Sequence, residues 1–136
     1  MKVLDKLFRK KKEKKIEEVK ETITDLEKLC GDDKELYQAL YDTMPPDPRR
    51  SDVSMEEAVQ KAKDFEKSGD KLRAGVWYHI AGGLAIYQGN IAKVKQFFGK
   101  CEELSNKKYP ILKIPEKAIA KAKEYYQKHL KEEEKK

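Results

Sequence analysis

Apolar residues recur along most of the chain at three- and four-residue intervals, the spacing that places them on one face of an α-helix. A first stripe predicts a helix that ends at Gly31; it consists of Ile16, Val19, Ile23, Leu26 and Cys30. A second stripe follows Asp32 and Asp33; it consists of Leu36, Tyr37, Leu40, Tyr41 and Met44. Strand-like alternation is almost absent, so the pattern predicts an all-α domain.

The boundaries of the middle helices are marked by capping residues. Ser54, with Glu57 three residues later, forms a capping box and predicts the start of a third helix. Two similar turns follow, at Gly69-Asp70 and Gly89-Asn90, in which a glycine ends one helix and the next residue caps another. Short connections of this kind predict antiparallel neighbours.

The fourth predicted helix, from Asp70 to about Gln88, carries apolar residues on nearly every face. A helix of that kind is expected to be the central and most buried one. The pair Gly82-Gly83 lies in its middle, where each glycine costs about 1 kcal/mol relative to alanine. Close approach of a neighbouring helix would explain the pair, and a notch that faces a ligand is the alternative.

Prolines define the two long connections. Residues 44–52, "MPPDPRRSD", are predicted to form a loop, and residues 106–114 an extended linker that packs back on the bundle. Pro115 suits the first turn of a sixth helix. The chain is therefore predicted to comprise a basic N-terminal segment (1–15), a single helical domain (16–130) built as an antiparallel bundle of about six helices, and a disordered tail (131–136).

Small and aromatic residues between about residues 55 and 105 follow a recurring order. Ala62, Phe65, Gly69, Ala74, Tyr78 and Ala81 have the spacing of one tetratricopeptide-type helical hairpin, which this region resembles. The resemblance covers one degenerate unit, departs from the family pattern at Ala58 and Ile86, and is also found in small helical families of unassigned function. It implies a tetratricopeptide-like central hairpin that binds a protein or peptide on its surface and does not catalyse a reaction.

Charged residues make up 41% of the chain, whereas asparagine and glutamine are rare. This balance suggests a thermophilic source. No apolar run is long enough for a membrane span or a signal-peptide core, so we expect a cytoplasmic protein. Residues 1–15 contain eight Lys or Arg and two acidic residues, a net charge of +6, and residues 107–136 have a net charge of +5, so the basic charge lies at the two ends of the chain.

Residues with catalytic potential are few. His79 and His129 are the only histidines of the chain, and no metal-binding or nucleophile motif surrounds them. We expect His79 to be a satisfied structural residue and His129 to be solvated; a pocket formed by His79 and Gly82-Gly83 would be the enzymatic alternative. Cys30 and Cys101 are expected to be buried thiols, with a disulfide between them as the alternative. No catalytic residue, metal, cofactor or small-molecule substrate is predicted.

These observations favour a non-enzymatic helical module that binds another protein or associates with itself, including as a homodimer. Aromatic and arginine side chains are the usual anchors of such interfaces. The candidate partner-binding residues are Tyr37, Tyr41, Arg49, Arg50, Arg73, Trp77 and Tyr87.

The alternative function is electrostatic binding of nucleic acid or of an anionic membrane surface through residues 1–15. Val3, Leu4, Leu7 and Phe8 form a short apolar stripe ahead of the basic run. No aromatic residue lies within the run, so contact with phosphate without base readout is expected. The candidate contacts are Lys6, Arg9, Lys10, Lys11, Lys12, Lys14 and Lys15.

Overall fold

The computed structural model describes residues 25–130, and in this range the chain is helical, with no strand. We label the helices α1 to α6. The described part of α1 is residues 25–30; the bounds of the others are Lys34–Tyr41 for α2, Met55–Lys67 for α3, Lys71–Gln88 for α4, Ile91–Ser105 for α5 and Pro115–His129 for α6. The predicted all-α bundle is confirmed. The basic segment 1–15, the first part of the stripe at residues 16–24 and the predicted tail at 131–136 lie outside the described residues.

The predicted caps form at Ser54, Asp70 and Asn90, and Asp33 caps α2 in the same way; at Ser54 the bond found is the one from the Glu57 N–H to the Ser54 hydroxyl. The side chains of Asp33, Ser54, Asp70 and Asn90 each accept a hydrogen bond from the backbone N–H three residues later, at 3.0–3.1 Å. Such a bond satisfies one of the amide donors left unpaired at a helix start. Gly69 and Gly89 have φ values of 82° and 72°, a left-handed conformation that side chains with a Cβ disfavour.

Helices α3, α4 and α5 form the antiparallel centre of the bundle, with α4 between the other two. Alanines at the contacts are fully buried and let the helix backbones approach closely; they include Ala62, Ala74 and Ala81. A polar cluster joins all three helices. Glu66 of α3 accepts a 2.7 Å hydrogen bond from the Tyr78 hydroxyl of α4 and one of 2.9 Å from Lys100 Nζ of α5.

Helices α1, α2 and α6 pack around this centre and complete the core. Leu26 and Cys30 of α1 are buried, as are Ala118 and Ala122 of α6. The hydroxyl of Tyr126 in α6 donates a 2.6 Å hydrogen bond to the carbonyl oxygen of Pro45 and so holds the loop after α2. The described part of the first predicted stripe therefore packs on its own bundle.

The predicted extended linker between α5 and α6 is partly wrong. Residues Pro110–Leu112 form a 3-10 turn, because Pro110 fixes a turn-compatible φ and Lys113 N donates to the Pro110 carbonyl. The expectation that the segment packs back on the bundle is confirmed, since Tyr109 and Ile111 are buried. A second 3-10 turn, Pro48–Arg50, forms within the predicted loop after α2.

Candidate protein-binding surface

Helix α4 is central, but one side of it is open to solvent. Leu72 is 80% exposed and Val76 is 52% exposed, while Ile80 and Leu84 are half-buried. Helix α4 thus has the predicted central place between α3 and α5, but apolar residues on nearly every face do not make every face buried. Helices α3 and α5 cover the alanine-rich flanks of α4, and α6 contacts the end of α4 at Tyr87, while the side with Leu72 and Val76 stays exposed.

The two exposed and two half-buried residues of this side form a ridge with a spacing of four. Leu72, Val76, Ile80 and Leu84 follow one another at i, i+4 positions, which are neighbours on a helix surface. With a rise of 1.5 Å per residue, the ridge is about 18 Å long. We call these four residues the α4 ridge.

Two depressions lie along the ridge and meet at His79 and Ile80. One, of about 520 Å³, lies near the start of α4, and its far wall includes Leu104 and Tyr109. The other, of about 400 Å³, lies near the end of the ridge, against the loop after α2. We call the two depressions together the α4 trough; their lining residues on α4 run from Lys71 to Leu84.

The exposed large apolar side chains of the described residues gather on this side of the bundle. Three belong to α4, namely Leu72, Val76 and Tyr87, and the fourth, Tyr41, lines the loop end of the trough. The Tyr87 ring packs edge-on against Tyr126, with centroids 5.3 Å apart. A contiguous apolar patch with a polar rim is typical of a surface that binds a macromolecule.

The residues at the bottom of the trough, His79 and Cys101, are held by contacts with the rest of the bundle. His79 Nε2 lies 2.8 Å from the carbonyl oxygen of Asp42, and its ring packs edge-on against Phe98. The Cys101 thiol lies 3.5 Å from the Gly75 carbonyl oxygen, and burial raises its pKa to about 12. The thiol therefore stays protonated at neutral pH, whereas a nucleophilic cysteine needs its thiolate form.

The space beside Gly82 and Gly83 is taken up by other residues of the same chain. A Cβ at Gly82 would lie 2.6 Å from Cε2 of Phe98 in α5, and one at Gly83 would lie 3.1 Å from Cδ of Pro45. Close approach of neighbouring backbone and rings explains both glycines, as the sequence suggested. The notch of the alternative interpretation is filled by Phe98 at Gly82, whereas Gly83 and His79 also line the depression of about 400 Å³ beside the loop after α2.

The remaining candidate residues from the sequence are the two cysteines and His129. Both cysteines are buried free thiols, so the alternative of a disulfide between Cys30 and Cys101 is not what the structure shows. His129 is exposed, as expected, and its ring lies 4.4 Å from that of Tyr125. Across residues 25–130, no group of three His, Cys, Asp or Glu side chains is arranged to hold a metal ion.

The predicted partner-binding aromatics divide between the trough and its surroundings. Tyr41 lines the trough; Tyr37 is half-buried beside it, with ring centroids 5.9 Å apart. Trp77 is also half-buried, and the Lys61 ammonium lies 5.2 Å from its ring centroid. Tyr87 lies on the open side of α4, beyond Leu84. Trp77 therefore borders the ridge without contributing an exposed ring.

The predicted arginines have different environments. Arg49 donates hydrogen bonds to the Asp47 carboxylate and to the carbonyl oxygen of Leu130. Its side-chain hydrogen bonds to Asp47 lower the pKa of that carboxyl group. Arg50, with 77% of its side chain exposed, pairs with the same carboxylate at 3.4 Å and lines the trough. Arg73 is 68% exposed and lies 3.5 Å from Asp70. Arg49 thus joins the loop to the end of α6.

The α4 ridge was missed by sequence reasoning, although the sequence contains a signal for it. Small residues mark the sides of α4 on which helices pack closely, at Ala74, Ala81 and Ala85. The large aliphatic residues follow a separate spacing of four on the other side. When small apolar residues lie on one side of a helix and large aliphatic residues on the other, the side with the large residues is therefore the candidate for the uncovered one.

Comparison with protein-family models, curated proteins and solved structures finds no match for this chain. The tetratricopeptide resemblance thus stays a prediction, although α3, α4 and α5 do pack as antiparallel neighbours. The seven basic candidates for phosphate or lipid contact lie in residues 1–15, outside the described part. Among the described residues, no helix has the length and apolar character needed to cross a membrane.

Proposed function

We propose that this protein is a non-enzymatic helical interaction module, and that it binds a helix of a protein partner in the α4 trough. The observation that carries the proposal is the exposure of the α4 ridge, above all Leu72 and Val76, on the central helix of the bundle. Amphipathic helices dock in grooves through apolar anchors at spacings of three and four residues. The four apolar residues of the α4 ridge span about 18 Å, which is the length of about three turns of a docked helix.

Charged residues at the two ends of the trough, which we call its rim, also support this proposal, because the residues between them are apolar. Lys71 lines the start of the trough, and Asp42, Asp47 and Arg50 line its loop end. Protein interfaces commonly combine a desolvated apolar centre with a charged rim that sets orientation. The fixed contacts of His79 and the protonated Cys101 favour a binding role for the bottom of the trough rather than a catalytic one.

A site-specific crosslinking experiment tests the proposal without assuming which protein binds. A photoreactive amino acid replaces Val76 in the full-length chain, and a matched control replaces Ala120, an exposed residue of α6. After irradiation in an extract of the source cells, the Val76 position is expected to give discrete crosslinked protein bands, and the Ala120 position is not. Equal crosslinking at the two positions, or none at Val76, would contradict the proposal.

A further inference from the structure

The α4 ridge is suited to pack against an inverted copy of itself. When two copies of α4 lie antiparallel about a two-fold axis between Val76 and Ile80, each Val76 faces the Ile80 of the other copy. Each Leu72 then lies near the other copy's Leu84. Interdigitation of two ridges with i±4 spacing is the commonest helix packing class, with a crossing angle of about −50°.

The two ends of the trough also complement each other in shape. Leu72, at 80% exposure, projects most strongly of the large apolar residues described. The depression of about 400 Å³ lies at the opposite end, lined by Tyr41, Met44 and Leu84. An inverted copy brings each projecting Leu72 to the depression of the other, so the contact closes on itself as an isologous dimer.

A basic residue lies at the start of the trough and an acidic residue at its loop end. At the start of the trough, Lys71 lies at the positive N-terminus of α4, and Lys107 lies over the ring of Tyr109. At the loop end, Asp42 caps the negative C-terminus of α2. The Asp47 carboxylate of that end contacts both Arg49 and Arg50. The two carboxylates and two guanidinium groups of the loop end therefore carry no net charge, and the charge match between the ends depends on the single pair Lys71 and Asp42.

We infer that the occupant of the α4 trough is the α4 trough of a second copy of this chain, in a two-fold antiparallel homodimer. The inference rests on the proposed function and names the partner. An inverted copy brings Lys71 of each chain to Asp42 of the other, and Leu72 of each chain to the depression lined by Tyr41, Met44 and Leu84 of the other.

The first experiment measures the mass of the full-length chain by sedimentation equilibrium over a range of concentrations. We expect the mass to rise from 15.9 kDa to twice that value. The Val76→Glu substitution should raise the dissociation constant by at least about a hundredfold, because two carboxylates would be desolvated beside Ile80. Since Val76 is 52% exposed in the isolated chain, the substituted monomer keeps its fold, which circular dichroism checks.

The matched control for this variant is Ala120→Glu, which adds the same charge at an exposed position of α6. Its dissociation constant should stay within about twofold of the unsubstituted value, because surface charges distant from a contact change affinity little. A chain that remains monomeric throughout would overturn the inference. So would a dimer that tolerates Val76→Glu as well as it tolerates Ala120→Glu.

The second experiment tests the antiparallel arrangement with Lys71→Glu and Asp42→Lys. Both changes suit the local helix dipole, because the first adds a carboxylate at a helix N-terminus and the second an ammonium at a C-terminus. Each variant alone would bring two pairs of like charges together, and we expect its dissociation constant to rise about tenfold. A mixed pair contains one new carboxylate opposite one new ammonium and one native Lys71–Asp42 pair. The equimolar mixture should therefore associate as tightly as the unsubstituted chain.

Failure of the mixture to recover association would overturn the antiparallel dimer. The crosslinking experiment separates this failure from failure of the proposed function. Capture of the chain's own second copy at position 76 supports both statements. Capture of a different protein, with a monomeric purified chain, overturns the homodimer and leaves the interaction module in place.

Discussion

Substitution of Gly82 by alanine tests the closest approach between α4 and α5. The added Cβ would lie 2.6 Å from Cε2 and 2.7 Å from Cζ of Phe98, well inside the optimal carbon–carbon separation of about 3.5–4.0 Å. The Phe98 ring cannot easily move away, because it is fully buried and its centroid lies 5.4 Å from those of both His79 and Tyr109.

Two opposing effects determine the result. Alanine is preferred over glycine within a helix by about 1 kcal/mol, whereas overpacking a filled core costs about 1–3 kcal/mol. We therefore expect Gly82→Ala to lower the free energy of unfolding by about 1 kcal/mol. Gly75 in the same helix is the matched control, since its added Cβ would lie 4.0 Å from the Leu104 Cβ. Gly75→Ala should raise the free energy of unfolding by about 1 kcal/mol.

Urea unfolding of the full-length variants, followed by circular dichroism, measures both free energies. Protein concentration must be the same in each experiment, because association of the native state adds to apparent stability. Gly99→Ala in α5 is a second control, with no atom within 4 Å of the added Cβ, and it should also stabilise. If Gly82→Ala stabilises the protein as much as the two controls do, the packing argument at Phe98 is wrong.

Three further predictions concern caps and titratable groups. Asn90→Ala should lower the free energy of unfolding by about 1 kcal/mol in urea titrations, since Asn90 Oδ1 accepts the 3.1 Å bond from Lys93 N; an unchanged midpoint would contradict the cap. Glu66→Gln should cost about 0.5–1 kcal/mol at neutral pH. Hydrogen bonds from Lys100 and Tyr78 lower the pKa of Glu66 below its ordinary 4.5, so this stabilisation is present above about pH 4.5 and is lost as the pH falls further. Stability measured from pH 7 to pH 3 should converge for the two proteins, and a constant difference would refute the assignment. Burial and the Glu66 contact raise the pKa of Tyr78 from 10.0 to about 12, so the unfolded chain loses its proton first and stability should fall above about pH 10. Tyr78→Phe should make that fall shallower in alkaline thermal melts, and an identical slope would count against it.

The sequence predicts the helices well because their ends depend on local chemistry. The capping bond of Asn90 and the left-handed conformation of Gly89 involve only a few neighbouring residues, so both can be recognised without tertiary information. The turn at Pro110–Leu112 was harder to anticipate. Its form depends on the burial of Tyr109 and Ile111 against other helices.

The candidate surface could not be predicted from the sequence of α4 alone, because its exposure depends on how the other helices pack. Apolar periodicity identifies which residues of α4 could be buried, but coverage depends on how many helices pack around it. Val76 and Ala81 are both apolar, yet Val76 is 52% exposed and Ala81 fully buried. Arg49 is a similar case, because its contact with Leu130 joins residues 81 positions apart in sequence. Such long-range contacts cannot be inferred from spacing.

The central claim, that the α4 trough binds a protein helix and that this helix is the inverted α4 of a second copy, can be tested by isotope-filtered NMR. A sample is prepared by refolding an equimolar mixture of ¹³C-labelled and unlabelled full-length chains. The predicted result is a set of intermolecular contacts between methyl groups of Val76 and Ile80, and between Leu72 and the loop end of the trough beside Leu84. Intermolecular contacts confined to another face of the bundle, or their absence at concentrations where sedimentation shows a dimer, would contradict the account.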